Sequence, residues 1–165
     1  MANSQFQNQF LKIRCIFPKK MTRDYTATTF IIHQNTCLLH LHKKLNLWLP
    51  VGGHIDPNEL PHLAALREIK EETGLSVILY NPDPSLDLND AKQLIRPVHL
   101  LLEDITPTHQ HIDMIYYATT KDPAIKPVKG ESTTIKWLTT QQINQLHNIP
   151  DNASALAVEA IQTLG

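Results

Sequence analysis

Three glutamates carry the clearest chemical signal in this sequence. Glu68, Glu71 and Glu72 follow Arg67 within the stretch REIKEE. At about 100° per residue on a helix, the three carboxylates share an arc of about 100°. Carboxylates this close repel one another, and a divalent cation bound between them removes that cost. Hard oxygen ligands with no cysteine nearby favour Mg²⁺ or Mn²⁺ over zinc, although an acidic run considered alone is more often a solvated helix face.

The residues around the glutamates predict the helix that would position them. Pro61 suits the first helical position and Gly74 suits a left-handed C-terminal cap, so the predicted helix runs from about residue 61 to residue 73. Three apolar residues fall on the side opposite the glutamates and are predicted to enter the core: Leu63, Leu66 and Ile69.

The spacing beyond the glutamates favours a metal site over a solvated face. The chain reads Gly53, five residues, Glu59, seven residues, Arg67-Glu68-Ile69, one residue, Glu71-Glu72, one residue and Gly74-Leu75. This pattern matches the Nudix box position for position, so the chain resembles a Nudix hydrolase. The preceding stretch WLPVGGHID resembles the Trp-x-x-Pro-Gly-Gly sequence common before the box, with Val51 inserted.

The resemblance implies an α/β/α sandwich with a mixed β-sheet and the hydrolysis of a pyrophosphate bond in a nucleoside diphosphate linked to another group. It implies that Glu68, Glu71 and Glu72 bind Mg²⁺ or Mn²⁺ together with the backbone carbonyl of Gly52. A cation there would bridge phosphate oxygens and lower the pKa of a bound water, and a nearby carboxylate could accept the proton.

The resemblance also assigns supporting catalytic residues. Glu59 matches a residue thought to support the helix, and Arg67 matches one that orients the carboxylates through ion pairs. Glu131, six residues before Trp137, occupies the place of a further acidic residue that acts as a fourth ligand or general base. Family members differ in which carboxylate is the base.

Substrate contacts are predicted from four further residues. His54 lies at an open position of the box, and Lys129 lies in a proline-bearing loop where a cation could meet phosphates. His111 and Asp113 belong to HQHIDMIYYA, which resembles a strand that lines the substrate pocket in one branch of the family. His109 shares their strand face; such faces can bind transition metals, but satisfied histidines are more frequent.

The rest of the chain predicts one mixed layer of strands flanked by helices. The segments 27–33 and 36–42 are rich in β-branched and apolar residues and, with the turn residues Gln34 and Asn35 between them, predict a hairpin. Further predicted strands span 75–80, 94–105, 111–119 and 133–138. Two helices are predicted at the end of the chain, over 140–148 and 152–164. A helix between strands followed by terminal helices indicates an α/β sandwich.

Residues 1–20 are predicted to be an N-terminal extension of a single domain spanning residues 1–165. Four apolar residues recur there at helical spacing before Pro18: Phe6, Phe10, Ile13 and Phe17. A stripe of this kind covers one end of the core or forms a homodimer contact.

Charge and composition exclude several classes of partner. With 15 Lys and Arg against 16 Asp and Glu, the formal charge of −1 argues against binding extended nucleic acid through a broad basic surface. No run approaches the length of a membrane span. Cys15 and Cys37 are too few for a disulfide framework, which predicts a cytoplasmic protein.

The sequence leaves the substrate open. Nucleoside triphosphates are the first preference, and ADP-ribose, dinucleoside polyphosphates and nucleotide sugars are alternatives. A non-catalytic nucleotide-sensing module usually shows losses at the charged positions of the box, and here those positions are all present. An isoprenoid isomerase on a related fold would be expected to need a catalytic cysteine and a disrupted box.

Overall fold

A computed structural model describes residues 21–128, 130 and 132–165. The elements, in chain order, are the following: β1 Thr22–His33, β2 Thr36–His42, β3 Leu47–Leu49, β4 Val51–His54, α1 Pro61–Thr73, β5 Ile78–Leu79, β6 His99–Thr106, β7 His109–Thr119, β8 Ile135–Leu138, α2 Thr140–Ile143 and α3 Asp151–Leu164. The predicted N-terminal helix lies outside the described residues.

The strands form one mixed sheet with β1 and β7 at its centre. These two long strands pair in parallel, with Thr22 opposite His109 and Ile32 opposite Thr119. The remaining pairings are antiparallel: β2 and β4 join β1, β3 and β8 join β2, and β5 and β6 join β7. Because β4 pairs directly with β1, the glycines that precede α1 are held by the central part of the sheet.

Helices cover both faces of the sheet. On one face Ala64 and Ala65 of α1 pack with Ala27 and Tyr116, and Ile69 packs with Val51 in an adjoining cluster. On the other face α3 contributes three residues to a cluster that contains Phe30, Ile32 and Tyr117, namely Ala157, Ala160 and Ile161. This is the predicted α/β/α sandwich.

The hairpin and the box helix agree with the sequence prediction. Gln34 and Asn35 have positive φ values of 45° and 59°, as a tight two-residue hairpin turn requires. The box helix begins at Pro61 and ends at Thr73, and Gly74 adopts the left-handed cap with a φ of 74°. Backbone N–H groups of Lys126 and Val128 donate to the last carbonyls of this helix, so a later loop docks on its C-terminus.

The buried face of α1 differs from the prediction. Leu63 is 47% exposed and Leu66 is 36% exposed, while the buried residues of the helix are Ala64, Ala65, Ile69 and Thr73. The small alanines allow α1 to approach the sheet closely. The helix is therefore rotated so that Glu68 and Glu72 turn toward β4 instead of lying opposite the core.

Other predicted elements are shorter than expected, and two strands were missed. The helix predicted over 140–148 ends at Ile143. Beyond it, the N–H groups of Gln145 and Leu146 donate to carbonyls three residues earlier, as in a 3₁₀ turn. The carbonyl of Asn148 accepts from the backbone N–H of Trp48. The strand predicted from residue 94 begins at His99, after Pro97, which has no N–H to donate. The missed strands are β3 and β4, both of four residues or fewer.

Candidate active site on the glutamate face of α1

Arg67 is the centre of the predicted catalytic cluster. Its Nε and Nη2 donate to the two carboxylate oxygens of Glu59, each at 2.9 Å. Its Nη1 donates to Glu68 at 2.6 Å and lies 3.6 Å from a Glu71 oxygen. Its Nη2 also donates to the carbonyl of His54 at 3.0 Å. The planar guanidinium thus joins α1 to the loop that leads into it, which a lysine ammonium could not do with the same geometry.

Glu59 is held from two sides. Arg67 binds both of its oxygens, and the backbone N–H of Asp56 donates to Oε2 at 3.1 Å. The hydrogen bonds from Arg67 hold the pKa of Glu59 below its ordinary value, against the smaller opposing effect of burial. The same contacts raise the pKa of Arg67. Glu59 is therefore ionised at neutral pH and holds Arg67 through two hydrogen bonds.

The remaining glutamates are arranged against the glycines of β4. The backbone N–H of Gly52 donates to Glu72 Oε2 at 3.1 Å. A Cβ on Gly53 would clash with Glu68 Oε1, so an alanine at this position would displace that carboxylate. Glu71 is half exposed, with 51% of its side chain accessible. The structure thus places Glu68 and Glu72 at the junction of α1 with β4, and Glu71 is linked to this junction through Arg67.

Among the described residues the oxygens of the three glutamates do not all lie within 4.8 Å of one another, but the donor atoms at this junction are of the types that suit a hard divalent cation. They are carboxylate oxygens and a backbone carbonyl, which are the ligands that Mg²⁺ and Mn²⁺ prefer. Arg67 supplies one positive charge against Glu59, Glu68 and Glu71, so negative charge remains in excess. Val51, inserted before the glycines, is buried with Ile31 and Ile69 and begins β4, so it does not enter the acidic face.

Two of the four predicted substrate-binding residues are in contact in the structure. His54 and His111 come together, with ring centroids 5.0 Å apart. Burial and the neighbouring His54 and His109 lower the pKa of His111. Lys129 and the catalytic candidate Glu131 lie outside the described residues. Their roles, and those of the other site residues, stay predictions.

Asp113 lies on the same strand as His111 but is buried, with 4% of its surface exposed. One of its oxygens accepts from Thr26 Oγ1 at 2.9 Å and the other from Thr28 Oγ1 at 2.7 Å. Burial raises its pKa, and the two threonine hydroxyls oppose that effect. These bonds tie β7 to β1, which gives Asp113 a structural task in addition to the predicted substrate contact.

Asp24 is the residue near the site that sequence reasoning missed. Its carboxylate lies 3.6 Å from His54 Nε2 and 3.5 Å from His109 Nε2. Asp24 is the register partner of His111 across β1 and β7. Because that parallel pairing joins segments more than 80 residues apart, no local pattern in the sequence could have indicated it.

A family model for the NUDIX domain matches residues 22–157. The crystal structure of a NUDIX-family hydrolase from Clostridium perfringens is 45% identical, with a TM-score of 0.81, and the match covers 88% of this chain and 100% of that one. A Bacillus subtilis (strain 168) protein named "Putative 8-oxo-dGTP diphosphatase" is 43% identical over 58 residues, which are 33% of this chain and 39% of that protein.

A more distant match shows the fold alone. The structure of a C. elegans Ap4A hydrolase in a binary complex has a TM-score of 0.64 at 17% identity, covering 85% of this chain and 96% of that one. The long family match and the C. perfringens likeness agree with the box and with the sandwich that carries it. This chain belongs to the NUDIX hydrolase family.

Proposed function

We propose that this protein is a pyrophosphohydrolase that depends on Mg²⁺ or Mn²⁺ and cleaves a pyrophosphate bond in a nucleoside diphosphate linked to another group. The observation that carries the proposal is the junction of α1 and β4, where Glu68 and Glu72 lie against Gly53 and Gly52. A non-catalytic nucleotide-sensing module would not need this arrangement of hard ligands.

The residues divide the work as follows. Glu68, Glu71, Glu72 and the carbonyl of Gly52 would hold the cation. When bound, the cation neutralises phosphate charge and makes a water easier to deprotonate. Arg67 keeps Glu68 and Glu71 in position, and Glu59 fixes Arg67. A carboxylate of the cluster, or Glu131, accepts the proton from the attacking water.

Nucleoside triphosphates are the preferred substrate class in this proposal. The name of the B. subtilis protein supports it, since 8-oxo-dGTP is a nucleoside triphosphate, but the match spans 39% of that protein. The name of the C. elegans structure keeps dinucleoside polyphosphates as an alternative. ADP-ribose and nucleotide sugars are further alternatives.

An isomerase role is not favoured by the described cysteine. Cys37 is fully buried in the core between the sheet and α3, and burial raises the pKa of its thiol. A buried thiol of this kind is inert. An unpaired, buried Cys37 is also consistent with the reducing, cytoplasmic location that we propose.

In the part of the chain that the structure describes, no helix is long and apolar enough to span a bilayer.

The test is a panel of nucleoside triphosphates, including 8-oxo-dGTP, with ADP-ribose, a nucleotide sugar and a dinucleoside polyphosphate. Each is incubated with the full chain and Mg²⁺ or Mn²⁺, and the products are identified by mass. Release of pyrophosphate and a nucleoside monophosphate from a triphosphate supports the proposal. Turnover of another substrate class alone would make that class the proposed substrate. If no compound of the panel is cleaved, the proposed activity is contradicted and a non-catalytic nucleotide-sensing module is favoured.

Substitution of Glu72 by glutamine tests the role of the glutamate face, which is the side of α1 that carries Glu68, Glu71 and Glu72. We expect Glu72→Gln to leave the fold intact and to lower Mg²⁺-dependent turnover by about 100-fold or more, because a misplaced catalytic group commonly costs that much. Glu159→Gln is the matched control, since Glu159 lies on α3 beside His99. Near-normal turnover in Glu72→Gln would refute the assignment.

A further inference from the structure

Three side chains outside the glutamate face converge at one end of the sheet. Asp24 and His111 are register partners across β1 and β7, and His54 on β4 is opposite Thr26 on β1. Since side chains alternate along a strand, residues 24 and 26 face the same side of the sheet, and so do their partners. The sheet therefore presents one carboxylate and two imidazoles together.

The distances between these groups suit a transition metal. One donor atom from each of Asp24, His54 and His111 lies within 4.8 Å of the other two. In tetrahedral zinc sites with bonds of about 2.0–2.1 Å, neighbouring ligand atoms are about 3.3 Å apart. The distance from Asp24 Oδ2 to His54 Nε2 is 3.6 Å, so small side-chain movements would close the site.

Neighbouring groups contact the Asp24 side chain and the backbone of His54. His109 Nε2 lies 3.5 Å from Asp24 Oδ2, and its Nδ1 is 2.9 Å from the hydroxyl of Thr22. The carbonyl of His54 accepts from Arg67. Metal ligands are commonly held by an outer layer of hydrogen bonds of this type, and ligands placed on strands are positioned more precisely than ligands on loops.

We propose that Asp24, His54 and His111 form a second metal site, distinct from the glutamate face, that binds Zn²⁺ or a similar transition-metal ion. Imidazole nitrogens are the donors that such ions prefer, whereas the glutamate face offers only oxygens. Asp24 and His54 have half or more of their side chains exposed, at 52% and 60%, so an ion can enter from solvent.

The position of this site leaves room for a further ligand. Zinc bound by three protein groups keeps an open coordination position. A surface cavity of about 600 Å³ lies alongside, and Asp24 and His54 are part of its lining together with Tyr25, Glu59 and Met114. A small molecule with an oxygen donor could therefore reach the metal. His109 is a positioning residue in this account, because it contacts Asp24 and does not belong to the group whose donor atoms lie within 4.8 Å of one another.

The experiment measures Zn²⁺ binding to the full chain by competition with a chromophoric chelator, in excess Mg²⁺ that occupies the glutamate face. We expect one Zn²⁺ per chain in the wild type and in Glu72→Gln. We expect affinity to fall by about 100-fold or more in His111→Gln and Asp24→Asn, since even the loss of an outer hydrogen bond costs 10- to 100-fold. His99→Gln, on the adjacent strand β6 and paired with Glu159, is the control and should bind normally.

A second measurement on the wild type remains decisive if a variant fails to fold. X-ray absorption of the zinc-loaded protein should show imidazole scattering and bonds of about 2.0–2.1 Å. A zinc shell without imidazole, no stoichiometric uptake, or equal affinity in wild type and folded His111→Gln would overturn the proposal. Because Glu72→Gln retains this site, its failure and the failure of the proposed hydrolase activity give different results.

Discussion

Arg67 makes polar contacts with four groups at the glutamate face. It binds Glu59 through two donors and also contacts Glu68, Glu71 and the carbonyl of His54. The resemblance to the Nudix box implied the ion pairs with carboxylates. It could not predict the bond to the His54 carbonyl, because that contact depends on how the loop between β4 and α1 folds back.

A lysine at this position should weaken the fold measurably. We expect Arg67→Lys to lower the free energy of unfolding by about 1–2 kcal/mol, because it loses the two-pronged bond to Glu59 in a partly buried place. Urea denaturation measures this. Arg96→Lys is the control: Arg96 makes a similar pair with Asp83 at an exposed site, where solvent screening should make the loss smaller. Equal losses in the two variants would contradict the account.

The pKa of Glu59 predicts how its contribution depends on pH. Arg67 holds this pKa below the ordinary value of 4.5, so the folded state binds fewer protons than the unfolded state in that range. The stabilisation is present above the unfolded-state pKa and is lost as the pH falls through the folded-state pKa. We expect the difference in unfolding free energy between wild type and Glu59→Gln to shrink below about pH 4. A difference that stays constant down to about pH 3 would be the contrary result.

At the scale of elements, the two glycines of β4 have different tasks. A Cβ on Gly52 would lie 2.6 Å from the Ala27 carbonyl oxygen and 2.8 Å from Thr28 Cα, whereas a Cβ on Gly53 would meet the Glu68 carboxylate. Backbone atoms cannot move aside without disturbing the pairing of β1 with β4. The end of a side chain can move, but here it is a predicted metal ligand.

The two alanine variants should therefore separate stability from activity. We expect Gly52→Ala to lower the free energy of unfolding by about 1–3 kcal/mol through overpacking. We expect Gly53→Ala to stay within about 1 kcal/mol of wild type and to lower turnover by about 100-fold, because it displaces Glu68. Denaturation and steady-state kinetics check both. A Gly53→Ala enzyme of full activity would show that the position of Glu68 is not critical.

The sequence predicted the limits of α1 but not its orientation. Pro61 and Gly74 mark its ends through local backbone preferences, which a sequence displays directly. The buried face is decided by close approach to the sheet, which favours Ala64 and Ala65 over the larger Leu63. Counting the larger apolar residues therefore predicted the burial of Ile69 correctly and that of Leu63 and Leu66 wrongly.

The short strands show the same limit. Leu47–Leu49 and Val51–His54 have no alternation long enough to detect. They are extended because β2 and β1 offer them hydrogen-bonding partners, so their structure depends on distant parts of the chain. Asp24 belongs to the same class, since its proximity to His54 and His111 follows from pairing and not from a local motif.

At the scale of the whole molecule, the described residues contain an eight-stranded sheet with helices on both of its faces. The family match begins at residue 22, and the assignment of residues 1–20 as an extension of one domain stays a prediction. The alternative of a homodimer contact through the apolar stripe of residues 6–17 remains part of our proposal for this extension.

Removal of the extension should leave the assembly unchanged. We expect a chain that begins at residue 19 to elute in the same size class as the full chain, because the core described here is formed by residues after 21. Gel filtration with light scattering measures the mass of both. A change from dimer to monomer on truncation would assign the stripe to an interface.

Metal uptake by the glutamate face is the claim on which the proposed activity depends most. The direct measurement is a calorimetric titration of Mg²⁺ into the folded full chain, with and without a non-hydrolysable nucleotide, beside a Glu68→Gln, Glu71→Gln, Glu72→Gln triple variant. The account predicts Mg²⁺ binding by the wild type and its loss in the triple variant. No binding by the wild type under either condition would contradict it.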